Sequence, residues 1–343
     1  EESSLMELTV GTARGVKGKC VRGVIEVVRG INSVEIPVAV ITGSASGPVV
    51  GVIAGEHACE YAGVEAVGRL YHHLEPRMVS GAVVLVPVVN VPAFRTATSR
   101  VNPLDGLNIS QVYPGDPTFA PPDIHAKWIG LAAGDTVSHR IARLMLNEVA
   151  YKCNYLINLH GGDLGEELFP YVIVSESEDA KVNAKSMEIA LAFGTEHVQV
   201  SPSQRGFIGQ AMLRGIPGFV TEIGYNGRYD EEHIQMQSRG VENVLKHVGV
   251  LPGARQPLEG FDSNKIRRGN KAVVVTSSAS GLYRPHVTVR QTFREGDALA
   301  EITDEWGEVV ESIRAQHDGL LRILYLKRIV NPGDALFKYD VEN

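Results

Sequence analysis

The segment 49–63 constrains the fold more than any other part of the sequence. Its first six residues, 49–54, are apolar and rich in β-branched side chains, as in a strand that is buried on both faces. Gly55 ends this run, and apolar residues then recur with helical spacing at positions 64, 67, 70 and 74. A buried strand that leads through a glycine turn into a helix predicts an α/β fold, in which a mixed, mostly parallel sheet is flanked by helices.

Reactive side chains stand at the ends of three predicted strands. His57 and Glu60 follow the first strand. His160 follows the apolar run 155–159, and Glu222 interrupts a later apolar run. Ligands bind at the carboxyl ends of strands in open α/β sheets, so we expect these four side chains at one edge of the sheet. A buried carboxylate such as Glu222 is unfavourable unless it is paired or lies near a metal.

These residue types indicate metal-assisted hydrolysis. Two histidines and one glutamate form a catalytic zinc ligand set, which leaves a fourth position open. A carboxylate that is not a ligand, here Glu222, would take the proton of the attacking water and pass it to the leaving nitrogen. Arg100 or Arg95, in the long loop 91–124, is the candidate cation for the developing oxyanion. The His-x-x-Glu spacing by itself also fits an ordinary half-buried histidine followed by a solvated glutamate at a helix start.

The composition argues against several kinds of partner. The chain has 33 Lys and Arg residues against 40 Asp and Glu, a net charge of -7 with no basic block, which disfavours nucleic acid and anionic membranes. Its longest apolar run is too short to span a bilayer, and its first residues do not form a secretory signal. Three cysteines without a Cys-x-x-Cys pair favour neither a disulfide framework nor a cysteine-rich zinc site. We therefore predict a cytoplasmic protein.

The hydrophobic pattern changes towards the C terminus. Strand-like and helical segments alternate up to residue 255, a stretch rich in Pro and Gly follows, and short strands alternate with Gly and Asp turns from residue 271. We predict a zinc-hydrolase catalytic domain at 1–255, a linker at 256–270 and a small all-β domain at 271–343. The last of these resembles the barrel-sandwich domain of lipoyl and biotinyl carriers, and we expect it to shape the mouth of the site or an oligomer contact.

The combined motifs resemble the succinylglutamate desuccinylase/aspartoacylase family, a branch of the zinc carboxypeptidase superfamily. The resemblance rests on His57-x-x-Glu60, the loop 100–117, His160 and the segment 221–224, and it is closest to members that deacetylate diaminobutyrate derivatives in ectoine breakdown. It implies one Zn²⁺ per chain on His57, Glu60 and His160. It also implies Glu222 as base and then acid, Arg100 as the arginine that polarises the carbonyl, and N-acyl amino acids or similar small amides as substrates.

The sequence departs from the family pattern at three places. The family's Gly-Asp or Gly-Asn between the first two ligands is Ala58-Cys59 here, a change that need not touch the chemistry. The family's Asn-Arg pair, which grips the substrate carboxylate, is Ser110-Gln111 here. A Gln amide cannot replace the bidentate guanidinium. The Asp often found two residues before the second histidine is Asn158, whose amide could orient the imidazole of His160. The candidate substrate-binding residues of the loop are Arg95, Asn108, Ser110 and Gln111.

The sequence thus predicts a zinc-dependent hydrolase that cleaves the amide bond of a small N-acyl amino acid or related amide. One alternative is a metallocarboxypeptidase acting on peptides, for which Arg95 or Arg205 would have to bind the C-terminal carboxylate. The other is a zinc-binding protein without catalytic activity, against which the buried Glu222 argues. The predicted partner is a small molecule, and the acyl group, the amine, the physiological metal and the formation of a homo-oligomer are left open.

Overall fold

The computed structural model describes residues 8–30, 33–116, 135–259, 267–269 and 272–342. The end of the predicted loop 91–124 and most of the second half of the predicted linker 256–270 lie outside the described residues. Within the described ranges, no helix combines the length and the apolar character that crossing a bilayer requires.

The secondary structure alternates between strands and helices up to residue 247 and then consists of strands. The strands are β1 (Thr9–Val10), β2 (Ala13–Arg14), β3 (Lys19–Val28), β4 (Val34–Thr42), β5 (Ala45–Ala54), β6 (Ser80–Val86), β7 (Tyr155–His160), β8 (Glu166–Leu168), β9 (Tyr171–Ser175), β10 (His197–Ser201), β11 (Gly218–Glu222), β12 (Arg267–Gly269), β13 (Ala272–Thr276), β14 (Gly281–Pro285), β15 (Thr292–Phe293), β16 (Ala298–Thr303), β17 (Val309–Arg314), β18 (Gly319–Tyr325), β19 (Ile329–Val330) and β20 (Ala335–Val341). The helices are α1 (Tyr61–His73), α2 (Val91–Arg95), α3 (Ile109–Val112), α4 (Val137–Leu144), α5 (Ala180–Phe193), α6 (Gly206–Met212) and α7 (Glu231–His247). A π-helical turn (Met145–Val149) extends α4, and 3₁₀ turns lie at Pro76–Met78 and Ala150–Lys152.

A nine-stranded sheet of the described strands forms the centre of the molecule, in the order β12-β10-β9-β11-β7-β5-β6-β4-β3. Five of its eight pairings are parallel, and the pairs β9–β11, β4–β6 and β3–β4 are antiparallel. The predicted α/β fold with a mixed, mostly parallel sheet is confirmed.

The strands β5, β7 and β11 are neighbours in this sheet and are mutually parallel. The second half of β5 and most of β7 and β11 are buried, as expected for strands at the centre of such a sheet. Since parallel strands end at the same edge, the residues that follow β5 and those that end β7 and β11 meet there.

Helices cover both faces of the sheet. On one face, α3, α4 and α6 contribute Ile109, Ile141 and Phe207 to an apolar cluster. On the other face, α1, α5 and α7 form a second cluster with the sheet. In α1 the buried residues recur with the helical period seen in the sequence, so its apolar stripe faces the sheet.

Beyond residue 271 the described residues form two antiparallel sheets, β13-β20-β18-β15 and β17-β16-β14-β19, around a separate apolar core. Strand β8, which comes shortly after His160 in the chain, pairs with β18 and joins the first of these sheets. The C-terminal strands therefore pack against a segment that begins at the edge of the sheet where His160 lies. The all-β character of this part is confirmed, whereas the domain boundaries at 255 and 271 remain predictions.

Helices α5 and α7 approach each other at Gly240. A Cβ atom added there would lie 2.3 Å from ring atom Cζ of Phe193, which is fully buried. The ring has no free space to move into, so a glycine is required at this contact.

We expect Gly240→Ala to destabilise the protein. Overpacking a core costs about 1–3 kcal/mol, against which alanine recovers about 1 kcal/mol of helix propensity. The matched control is Gly68→Ala in α1, where an added Cβ meets no atom within 4 Å. The control should raise the midpoint of thermal unfolding slightly, and Gly240→Ala should lower it. Equal midpoints for the two variants would contradict the close helix approach.

Candidate metal centre

The predicted ligands lie together at the ends of adjacent strands. His57 lies three residues beyond β5, His160 is the last residue of β7, and Glu222 is the last residue of β11. Glu222 is the register partner of His160. A Cβ at Gly161, directly after His160, would lie 2.6 Å from the carbonyl oxygen of Ile223. Only glycine therefore allows these two segments of the backbone to lie this close together.

His57, Glu60 and His160 form one compact group of donors. One donor atom from each lies within 4.8 Å of the others. His57 Nδ1 is 2.7 Å from Glu60 Oε1, and His160 Nδ1 is 2.8 Å from Glu60 Oε2. All three residues are at most 7% exposed. The expected meeting of these side chains at one edge of the sheet is therefore observed, and their role as metal ligands remains a prediction.

The histidines and carboxylates in this group stabilise each other's charged forms. Burial raises the pKa of Glu60, but the charges of His57 and His160 outweigh it and hold this pKa below its usual value. Burial lowers the pKa of His160, but Glu60 and Glu56 raise it well above its usual value. The carboxylates thus favour a positive charge in the space between them. A cation held by the same donors would supply this charge, since metal binding replaces protons on its ligands.

The donor set fits a divalent metal ion. Imidazole nitrogens and a carboxylate oxygen are zinc ligands. Glu60 Oε2 is buried and has no hydrogen bond of good geometry among the described residues, although His160 Nδ1 lies nearby. A buried polar atom without a satisfactory partner is unusual, and a metal would give this oxygen one.

Loop residues hold the far side of the His57 ring. Asn108 Oδ1 and Ser110 Oγ each lie 3.2 Å from His57 Nε2. Ser110 Oγ also lies 2.7 Å from Asn108 Oδ1, and Asn108 caps α3. These contacts leave Nδ1 of His57 facing Glu60. Asn108 and Ser110 thus contact a candidate ligand, and their predicted part in substrate binding stays a prediction.

Glu56 holds the far side of the His160 ring and was missed in the sequence. Its Oε2 lies 3.0 Å from His160 Nε2 and accepts a hydrogen bond from Asn158 Nδ2 at 2.8 Å. Its Oε1 accepts a hydrogen bond from the Tyr113 hydroxyl at 2.6 Å. Asn158 therefore reaches His160 through Glu56 rather than directly. The only signal in the sequence was a carboxylate between the turn at Gly55 and His57.

Glu222 lies beside the donor group and is partly buried. Burial and then the charge of Glu60 raise the pKa of Glu222 to about 8, against the opposite effects of His160 and Arg100. Glu222 therefore shares the electrostatic surroundings of the candidate ligands. A carboxyl group whose pKa lies near neutrality can both accept and return a proton.

Two carboxylates that the sequence analysis did not single out fix Arg100. Its Nε donates to Asp163 Oδ2 at 2.5 Å, and its Nη2 donates to Glu166 Oε1 at 2.6 Å. Burial lowers the pKa of Arg100, but Glu166 and Asp163 raise it above its usual value. The guanidinium is a permanent, oriented cation. The position of Asp163, just after His160 and two glycines, was the available signal.

Cys59 stands between Glu60 and the first histidine but belongs to the Arg100 network. Its thiol donates to Asp163 Oδ1 at 2.6 Å. Burial and this carboxylate both raise the pKa of the Cys59 thiol. A neutral thiol is a poor metal ligand, so the contact with Asp163 is its structural role.

The remaining candidates lie towards solvent. Arg95 ends α2 and Gln111 lies in α3, and both are exposed. None of the contacts described for this chain joins either side chain to the donor group. Their part in substrate binding stays a prediction.

Comparison with known proteins identifies relatives along almost the whole chain. The N-alpha-acetyl-L-2,4-diaminobutyric acid deacetylase of Halomonas elongata is 27% identical over 309 residues, which cover 89% of this chain and 85% of that protein. The crystal structure of a succinylglutamate desuccinylase/aspartoacylase from Rhodobacter sphaeroides has 27% identity and a TM-score of 0.78, covering 93% of this chain and 96% of that one.

The product-bound Ectoine utilization protein EutE (DoeB) from Ruegeria pomeroyi has the same fold, with a TM-score of 0.81 at 23% identity, over 94% of this chain and 95% of that one. The family model of the succinylglutamate desuccinylase/aspartoacylase catalytic domain matches residues 46–248, more than half of the chain. The resemblance seen in the motifs is thereby confirmed. This chain belongs to the succinylglutamate desuccinylase/aspartoacylase family.

Proposed function

We propose that this protein is a zinc-dependent deacylase that hydrolyses the amide bond of a small N-acyl amino acid or related amide. The observation that carries the proposal is the convergence of donors from His57, Glu60 and His160 within 4.8 Å, with Glu222 on the adjacent strand end. Family membership and the similarity to a diaminobutyric acid deacetylase support it.

One Zn²⁺ per chain would be held by Nδ1 of His57, Nδ1 of His160 and the Glu60 carboxylate. Three protein ligands of this kind leave a position open for water or substrate, as catalytic zinc sites do. The chemistry that Zn²⁺ supplies when bound is polarisation of a carbonyl group and a lower pKa for water.

Glu222 is the proton carrier in this proposal. Its carboxylate takes a proton from the attacking water while the new carbon–oxygen bond forms. It returns that proton to the amide nitrogen while the carbon–nitrogen bond breaks, so the products are a carboxylic acid and an amine. Its place beside His160, at the end of the adjacent strand, supports this role.

Arg100 stabilises the negative charge that develops on the carbonyl oxygen. Asp163 and Glu166 already fix its Nε and Nη2 atoms. A donor oriented before the reaction needs no reorganisation during it, which is why such groups contribute strongly to catalysis.

This chain lacks the bidentate arginine that would bind a substrate carboxylate. Its substrate recognition therefore depends less on that carboxylate than recognition by a chain with the arginine would. Position 111 is a neutral Gln, and the neighbouring Ser110 lies in contact distance of Asn108 and His57. Arg95, Asn108, Ser110 and Gln111 remain the candidates for substrate contact. An acceptable substrate therefore includes amides without a free carboxylate.

We expect chelation to abolish activity and Zn²⁺ to restore it. A ligand at a hundred times its Kd stabilises a folded protein by about 2.7 kcal/mol, so Zn²⁺ should also raise the melting temperature of the chelated protein. His160→Ala should lose both responses. His73→Ala, at the exposed end of α1, is the matched control and should keep them. If neither the activity nor the melting temperature of the wild-type protein responds to Zn²⁺, the metal proposal is contradicted.

We expect Glu222→Gln to lower kcat by about 10²–10⁴, the usual contribution of a positioned acid–base group. The amide keeps the shape of the side chain but cannot carry the proton, so zinc affinity should change little. Glu305→Gln, at an exposed residue, is the matched control. The measurement is kcat of the wild type and of both variants for the hydrolysis of a panel of N-acyl amino acids. Equal turnover in wild type and Glu222→Gln would remove Glu222 from the mechanism, and a wild type inactive on the whole panel would favour the non-catalytic alternative.

We expect an N-acetyl amino acid and its C-terminal amide to have similar kcat/KM values, within about tenfold, because hydrogen bonds to charged groups contribute about 1.5–3 kcal/mol each and the clamp that would make them is absent. Gln111→Arg should increase the preference for the acid. The measurement is kcat/KM for both compounds with both proteins. A preference of the wild type for the acid of more than about 200-fold, a larger gap than one such bond gives, would instead favour a carboxypeptidase.

A further inference from the structure

Glu56 is a buried carboxylate that the proposed reaction does not use. It is 1% exposed and lies directly before His57 in the chain. Three donors converge on it: Tyr113 Oη at 2.6 Å, Asn158 Nδ2 at 2.8 Å and His160 Nε2 at 3.0 Å. Tyr113 directly follows α3, and Asn158 and His160 lie in β7, so Glu56 joins segments that are distant in sequence.

The two candidate histidine ligands are supported differently. The oxygens near His57 Nε2 belong to the neutral side chains of Asn108 and Ser110. The oxygen near His160 Nε2 belongs to a carboxylate. An ionised carboxylate only accepts hydrogen bonds, so Nε2 of His160 carries the hydrogen and Nδ1, which faces Glu60, is left as the metal-binding nitrogen.

The neutral donors do not account for the charge on Glu56. Tyr113 and Asn158 fix the carboxylate in place, but neither carries a positive charge. A carboxylate with 1% exposure is unfavourable unless a cation compensates it. His160, and through it a bound metal ion, is the cationic partner that the contacts offer.

We propose that Glu56 is a positioning residue that pairs with His160 to form a carboxylate–histidine–metal unit, in which it fixes the ring orientation and increases the affinity for zinc. The proposal rests on the metal site of the proposed function. Asn158, on the same strand as His160, does not perform this role itself and serves to hold Glu56. A carboxylate that accepts from a ligand histidine raises the basicity of the ligating nitrogen.

The test compares Glu56→Gln with Tyr113→Phe in the full-length protein. Zinc Kd is measured by competition with a chromophoric chelator, and the melting temperature is measured without metal. Loss of a carboxylate that supports a ligand histidine weakens metal binding by about 10–100-fold, which we expect for Glu56→Gln. Tyr113→Phe removes another donor to the same carboxylate but leaves the contact with His160, so its zinc Kd should stay within about threefold of wild type, well short of that loss.

A purely structural Glu56 gives a different result. In that case Glu56→Gln lowers the metal-free melting temperature while zinc Kd is unchanged, or Tyr113→Phe weakens zinc binding as much as Glu56→Gln does, and either outcome overturns the proposal. If Glu56→Gln does not fold, Glu56→Asp decides, since it keeps the charge but withdraws it from His160: weaker zinc binding supports the proposal and an unchanged Kd overturns it. If the zinc Kd measurement shows that the wild type binds no zinc, the proposed function itself has failed. That result is distinct from the outcomes for the Glu56 variants.

Discussion

The rest of the structure depends on how a concentration of buried negative charge is compensated. Glu56 and Glu60 are buried against the imidazoles of His57 and His160, and the partly buried Glu222 ends the adjacent strand. Charges in such a place interact strongly because the surroundings screen them poorly, and each carboxylate needs a cation or several donors. Glu60 and Glu56 obtain them from the histidines. Burial and then the charge of Glu60 raise the pKa of Glu222. A metal ion in the centre would compensate the group as a whole.

The surrounding loops serve to orient this group. Each candidate ligand histidine faces Glu60 with Nδ1, and its Nε2 contacts residues of another segment. Arg100 is held in the same way by Asp163 and Glu166. Such outer contacts fix the rings and the guanidinium before a substrate arrives, which is the arrangement that metal binding and electrostatic catalysis both require.

The C-terminal sheets contact the surroundings of the site through strand β8. Glu166, which fixes Arg100, begins β8, and its register partner in β18 is Tyr325. The same contact buries Leu168 and Phe169 against Leu320 and Ile323. A shift of β18 would therefore move the carboxylate that orients Arg100. Whether this part of the chain shapes the mouth of the site or forms an oligomer contact stays a prediction.

The sequence by itself determined the three strands that end at the site, the helix after the first of them and the four reactive side chains at the strand ends. Runs of β-branched residues, glycines at the junctions and helical spacing are local patterns, so His57, Glu60, His160 and Glu222 could be found without coordinates. The tertiary structure alone decided which residues support them. Glu56 meets Tyr113 and Asn158, and Arg100 meets Asp163, across separations of 57 to 102 residues. Such contacts depend on strand order, register and the path of the loops, and no local pattern in the chain encodes these.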